Sequence, residues 1–190
     1  MADMNSLLGN SEAYYDPSAD APSMVPEGMY KAYAKTLKER EVIVRSKFVA
    51  DVFDIEFELA EDNSGDTVEY KGNQIDKGNF SGKTIRSKGF FRFKKPDPEN
   101  PNHKGKEENS GSNKSYMELL HSFAVKTEQD KEGRYFLPHI NESDVVGMPV
   151  IIEVKHESWI NREGESMLTP KAFSIFLWED GVRQEEEVPF

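Results

Sequence analysis

The sequence predicts a mainly β domain: a five-stranded barrel with one helix between its third and fourth strands, long loops and disordered acidic ends. Three observations carry that expectation. Apolar residues alternate with a period of two through most of the hydrophobic stretches, of which Phe-Val-Ala-Asp-Val-Phe-Asp-Ile-Glu-Phe-Glu-Leu at 48–59 is the clearest. A single stretch, 115–125, repeats apolar residues at helical spacing instead. Clusters of Gly, Asn, Asp and Ser separate the stretches, as turns require.

Taken in order, residues 1–27 mix Asn, Ser, Asp, Ala and Pro with few large aliphatics and read as a flexible acidic arm. The domain is expected over 28–178. Residues 28–44 begin as a strand, with Tyr30, Ala32 and Ala34 on one side and Lys31, Tyr33 and Lys35 on the other. Over 30–40 Ala and Lys also suit a helix, but Tyr30, Tyr33 and Leu37 make only a thin stripe. In 48–59, Phe53, Ile55, Phe57 and Leu59 form the core face. Turn signals then make 60–80 a loop or decorated hairpin. Residues 82–95 follow as a third strand. The polar connector 96–111, with three prolines, should be mobile. Ser115 and Glu118 form a capping box at the start of a helix whose stripe is Tyr116, Leu119, Leu120, Phe123 and Ala124. Residues 127–144 are turn-rich. A fourth strand spans 145–156, with Val150, Ile152 and Val154 inward and Glu153 and Lys155 outward. A loop at 157–167 holds Trp159 and Arg162, and 171–178 closes the domain. Strand, strand, strand, helix, strand, strand is the order of the OB-fold, which binds oligonucleotides on its second and third strands and on the loops joining strands one to two and four to five.

Composition bounds the function. The chain has 190 residues, 36% hydrophobic and 31% charged, and no cysteine, which excludes disulfides, thiolate metal sites and thiol nucleophiles. No apolar run reaches the roughly 20 residues of a membrane span and no signal-peptide pattern opens the chain, so a soluble cytoplasmic protein is expected. The net charge of -11 is unevenly spread: residues 1–27 carry -5, residues 179–190 carry -4, and the remainder only -2. Within that near-neutral middle, 82–95 holds six basic residues and no acid.

Read as one strand, 82–95 puts Arg86, Lys88, Phe90, Arg92 and Lys94 on one face and Ile85, Ser87, Gly89, Phe91 and Phe93 on the other. Cations that track phosphates beside a ring on which a base stacks are what sequence-independent binding of a single nucleic-acid strand requires. Lys31, Tyr33 and Lys35 repeat the pattern on the first strand, and Lys155, Trp159 and Arg162 add to it from the fourth strand and the following loop. An amphipathic strand with a solvated basic face is the plain alternative. No cofactor or metal is expected. His103, His121, His139 and His156 share no ligand spacing, Asp62 to Asp66 lacks the distal Glu of a calcium loop, and Gly82-Lys83-Thr84 lacks the first Gly of a phosphate loop.

The last residues, Glu185-Glu186-Glu187-Val188-Pro189-Phe190, resemble the tip of bacterial single-stranded-DNA-binding proteins, with Glu for Asp and Val for Ile. The long Gly/Gln/Pro-rich linker of that family is missing. The layout of 26–190 instead resembles phage-encoded OB-fold proteins that bind single strands during replication, recombination or repair. What the resemblance implies is binding without catalysis in the host cytoplasm, with the acidic tail recruiting replication or recombination partners. Two other readings compete. Glu153 and Lys155 form a Glu-x-Lys motif on a strand with Asp144 upstream, which resembles metal-dependent nucleases of the restriction-endonuclease-like type. The basic stripe would also suit a protein-interaction module that docks an acidic partner.

Overall fold

The computed structural model describes residues 23–45, 48–94, 99 and 113–184. The strands are β1 (Gly28–Val44), β2 (Phe48–Leu59), β3 (Thr67–Tyr70), β4 (Asn73–Asp76), β5 (Thr84–Ser87), β6 (Phe90–Phe93), β7 (Glu128–Gln129), β8 (Tyr135–Phe136), β9 (Pro149–Ile160) and β10 (Ser166–Leu177). Among the described residues, two α-helices accompany them, α1 (Lys114–Ser122) and α2 (Glu142–Val145). The fold is mainly β, centred on one six-stranded sheet in the order β1-β9-β10-β5-β2-β6, in which β1 also bonds to β2. All its pairs are antiparallel except β10–β5. Among the described residues no helix is long and apolar enough to cross a membrane.

The period-two pattern sets which side chains face the core. Tyr30, Ala32, Ala34 and Leu37 of β1 are buried with Phe53, Ile55, Phe57 and Leu59 of β2, Ile85 of β5, Val150, Ile152 and Val154 of β9, and Ala172 and Ile175 of β10. Each fully buried large apolar side chain contributes about 1.5–3 kcal/mol. Bulges at Lys35 and Phe173 interrupt the alternation without turning the core face outward. Helix α1 buries Tyr116, Leu119 and Leu120, with Phe123 just beyond its end. The Ser122 hydroxyl donates to the Ile175 carbonyl at 2.7 Å, tying the helix to β10.

Several boundaries differ from those the sequence predicts. The third strand is two short strands, so the central sheet has six rather than five. Ser115 does not cap α1: the cap position is Asn113, whose side chain instead bonds both backbone groups of Phe93, at 2.8 and 3.3 Å. A capping box does form at α2, where Asn141 and Asp144 bond reciprocally, so Val145, expected to open the fourth strand, is helical and the strand starts at Pro149. Strands β9 and β10 run four and five residues further toward their shared turn than expected. That places Trp159 within β9 and Arg162 at the turn. The stretch 60–80 holds the β3–β4 hairpin, and 127–144 holds a short β7–β8 hairpin.

Residues 23–27 lie against the sheet: Val25 is buried, its carbonyl meets His156 Nε2 at 2.8 Å, and the Tyr30 hydroxyl donates to the Pro26 carbonyl. At the other end, Arg183 donates to the carbonyls of Ser143 and Val146, and the Gln184 amide donates to the Gly147 carbonyl at 2.9 Å. The rest of the expected arm, all but Glu99 of the connector 96–111, and the tail tip lie outside the described residues.

Candidate nucleic-acid interface

The outward positions of β9, β10 and β5 bring three cations abreast. Lys171 is directly opposite Lys155 on one side and Arg86 on the other. Facing residues on neighbouring strands are close enough to interact, and like charges there repel. Part of the repulsion is relieved locally: Arg86 pairs with Glu56 at 2.7 Å and Lys155 with Glu153 at 2.7 Å. The hydrogen bond from Lys155, then that from the Ser174 hydroxyl, holds the Glu153 carboxyl below its usual range. Lys171, in the middle, has no ion pair among the described residues. Beside this row, Lys88 and Lys155 reach over the Phe173 ring, at 5.0 and 5.8 Å from its centroid.

Trp159 lies further along the same face of β9. Its indole N–H donates to the Thr169 hydroxyl on β10 at 2.9 Å, so the ring is held across the two strands while the side chain stays 49% exposed. A planar ring fixed in this way loses little entropy when a base stacks on it. Arg162 is exposed at the turn beyond it, where the Asn161 side chain accepts from the amides of Glu163 and Glu165.

Lys31, Tyr33 and Lys35 also point outward, toward the opposite end of the strands, where β1 pairs with residues 149–154 of β9. They form a separate group. Trp178 packs on Tyr33 with ring centroids 5.7 Å apart, so that ring is already half-covered, and burial raises the Tyr33 pKa. Lys31 donates to the Asp62 carbonyl and sits 5.8 Å from the Trp178 centroid; Lys35 is 3.7 Å from Glu58.

Phe90, Arg92 and Lys94 do not join the cationic face. The alternation inverts at Lys88-Gly89: the buried Ser87 hydroxyl oxygen accepts from the amides of Ile55 and Gly89, and Gly89 then takes φ +88°. This extra residue turns Phe90 into the core, where it is 4% exposed. Arg92 and Lys94 follow it inward to Asp51, which is 5% exposed, at 3.5 and 2.9 Å. Lys94 also bonds Glu41 at 2.6 Å, and that bond above all raises its pKa. Phe91 and Phe93, expected in the core, are half-buried on the other face, stacked with centroids 6.1 Å apart.

Lys171 and Phe173 were absent from the residues that the sequence singles out. The signal was there in the Asn161–Glu165 turn: a hairpin folded about it sets 155 opposite 171. The nuclease residues are otherwise engaged, Asp144 in the α2 cap and Glu153 with Lys155 and Ser174. Among the described residues no group of three or more His, Cys, Asp or Glu could hold a metal ion. Glu185, Glu186, Glu187, Val188, Pro189 and Phe190 lie outside the described residues. The chain matches no protein-family model, no curated protein and no solved structure.

Proposed function

We propose that the chain binds single-stranded DNA without sequence preference, on an OB-type barrel, during phage DNA replication or recombination. Counting β5 and β6 as one bent strand, the pairings run first to second, second to third, third to fifth, fifth to fourth and fourth back to first. That closed succession, with α1 between the third and fourth strands, supports the OB reading. The observation that carries the functional reading is the row Lys155, Lys171, Arg86 with Trp159 on the same face. Phosphates supply the counter-charge that Lys171 lacks and draw on the paired Arg86 and Lys155, and the indole supplies a platform for a base. The acidic tail, Glu185 to Phe190, recruits partner proteins through its apolar tip.

Titrating the protein with oligothymidylate while following tryptophan fluorescence tests this reading. Quenching is expected, with a slope of log K against log salt near about -3 if Arg86, Lys88, Lys155 and Lys171 each neutralise a phosphate at roughly -0.7 per contact. No quenching, or a slope near zero, would rule the reading out.

A further inference from the structure

The cationic row ends abruptly on β2. Opposite Arg86 stands Glu56, and the outward positions on either side of it along β2 are Asp54 and Glu58. These three carboxylates form a column running along β2, perpendicular to the row, and each is held in place. Asp54 is bonded by Arg40 at 2.8 Å, Glu56 by Arg86 at 2.7 Å and by the Thr36 hydroxyl at 3.4 Å, and Glu58 is 3.7 Å from Lys35. The acids are therefore fixed neighbours of the row rather than side chains free to swing away.

We infer that this column makes the site selective for one strand over two, an inference that rests on the nucleic-acid reading above. A single flexible backbone can follow β9, β10 and β5 and leave the sheet before β2. A duplex cannot, because it is stiff, with a persistence length of about 150 bp, and does not bend away within a few ångströms. Neighbouring strands are about 4.8 Å apart. A duplex backbone laid along the row therefore runs straight on to β2, the next strand after β5, over Asp54, Glu56 and Glu58. Phosphate against fixed carboxylate is a repulsive contact that the single strand avoids, and discrimination of this kind works through the rejected ligand. Asp54 and Glu58, whose partners Arg40 and Lys35 lie outside the row, are specificity-determining residues, and the column itself binds nothing.

The test compares the full-length protein with the double variant Asp54→Asn/Glu58→Gln, which spares the partner of Arg86, using a labelled oligothymidylate and a labelled duplex of the same length at one low salt concentration. Glu69→Gln/Glu142→Gln, two exposed acids on other surfaces, gives the same change in net charge, and thermal melting checks that each variant is folded. Duplex affinity should rise about tenfold in the column variant, while single-strand affinity changes by less than about threefold and the control changes neither ratio. An equal rise for both ligands would show only general electrostatics and overturn the inference, as would an unchanged duplex affinity. If the unaltered protein fails to bind oligothymidylate, the nucleic-acid reading falls and takes the inference with it. If it binds and only the ratio fails to move, the reading stands without the inference.

Discussion

Asp51 decides what Arg92 and Lys94 are for. A carboxylate 5% exposed is tolerable only with charged partners, and these two cations supply them. Arg92 also donates to the Leu137 carbonyl at 3.2 Å, which ties β6 to the segment after β8. Arg92→Met is therefore expected to cost about 2 kcal/mol in chemical denaturation, less than the roughly 3–5 of a fully orphaned buried charge because Lys94 remains. Binding of oligothymidylate should be unaffected. The aromatic residues separate in the same way. Trp159→Ala should weaken binding by about 1–3 kcal/mol with an unchanged melting temperature, whereas Phe90→Ala should cost about 3–5 kcal/mol of stability through a cavity. A Phe90→Ala protein that melts normally but binds poorly would show that Phe90, after all, lies on the binding face. Tyr116 adds a pH dependence. Burial pushes its hydroxyl up to about 12 from 10.0. A raised folded value means this contribution is complete below pH 10 and is lost as pH rises through about 12. Stability measured over that range should fall less steeply in Tyr116→Phe.

At the scale of the element, Gly89 separates what could be read in the sequence from what could not. A β-carbon there would sit 3.0 Å from Val52 Cγ1 and 3.1 Å from Asp54 Oδ1, at a φ of +88° that other residues rarely adopt. Gly89→Ala should cost about 1–3 kcal/mol in urea denaturation; a neutral result would mean the inversion does not depend on this glycine. Strand β2 was legible because from Phe53 to Leu59 apolar residues alternate strictly with Asp54, Glu56 and Glu58, and the start of β1 because Tyr30, Ala32 and Ala34 alternate with Lys31, Tyr33 and Lys35. The third strand was not, since Ile85, Ser87 and Gly89 continue the alternation smoothly into Phe91 and Phe93. Nothing in that pattern distinguishes a regular strand from one with an inserted residue. Buried polar Ser87, which satisfies two backbone amides, and the glycine after Lys88 are the only local marks of the break. Half of the basic stripe was consequently assigned to the wrong face. Arg86, Lys88 and Lys155 stayed on the outward face because they lie before the inversion or on another strand, and Trp159, expected in a loop, joined that face through the longer β9.

Across the whole molecule, the two ends of the described chain are fastened to the sheet rather than trailing from it, which changes where the tail begins. Gly147 has φ +77°, and a β-carbon there would strike the Gln184 carbonyl, so the close approach of these two backbones depends on glycine. Arg183 and Gln184 are held against the end of α2, and the Gln184 side-chain oxygen lies 3.5 Å from Lys35 Nζ. Gln184, the last described residue before the three glutamates, thus lies beside Lys35 of β1. Six residues beyond Gln184 reach at most about 20 Å. The three acids, within about 10 Å of Gln184, are expected to compete with phosphates for cations in that reach. A truncation for testing this must end after Gln184, because removing that residue would also release the Gly147 contact. Deleting 185–190 should leave the melting temperature unchanged and tighten oligothymidylate binding, most at low salt, where screening is weakest. Equal affinities for the full-length and truncated proteins at every ionic strength would show that the glutamates do not compete with DNA, leaving the tail only the proposed recruiting role.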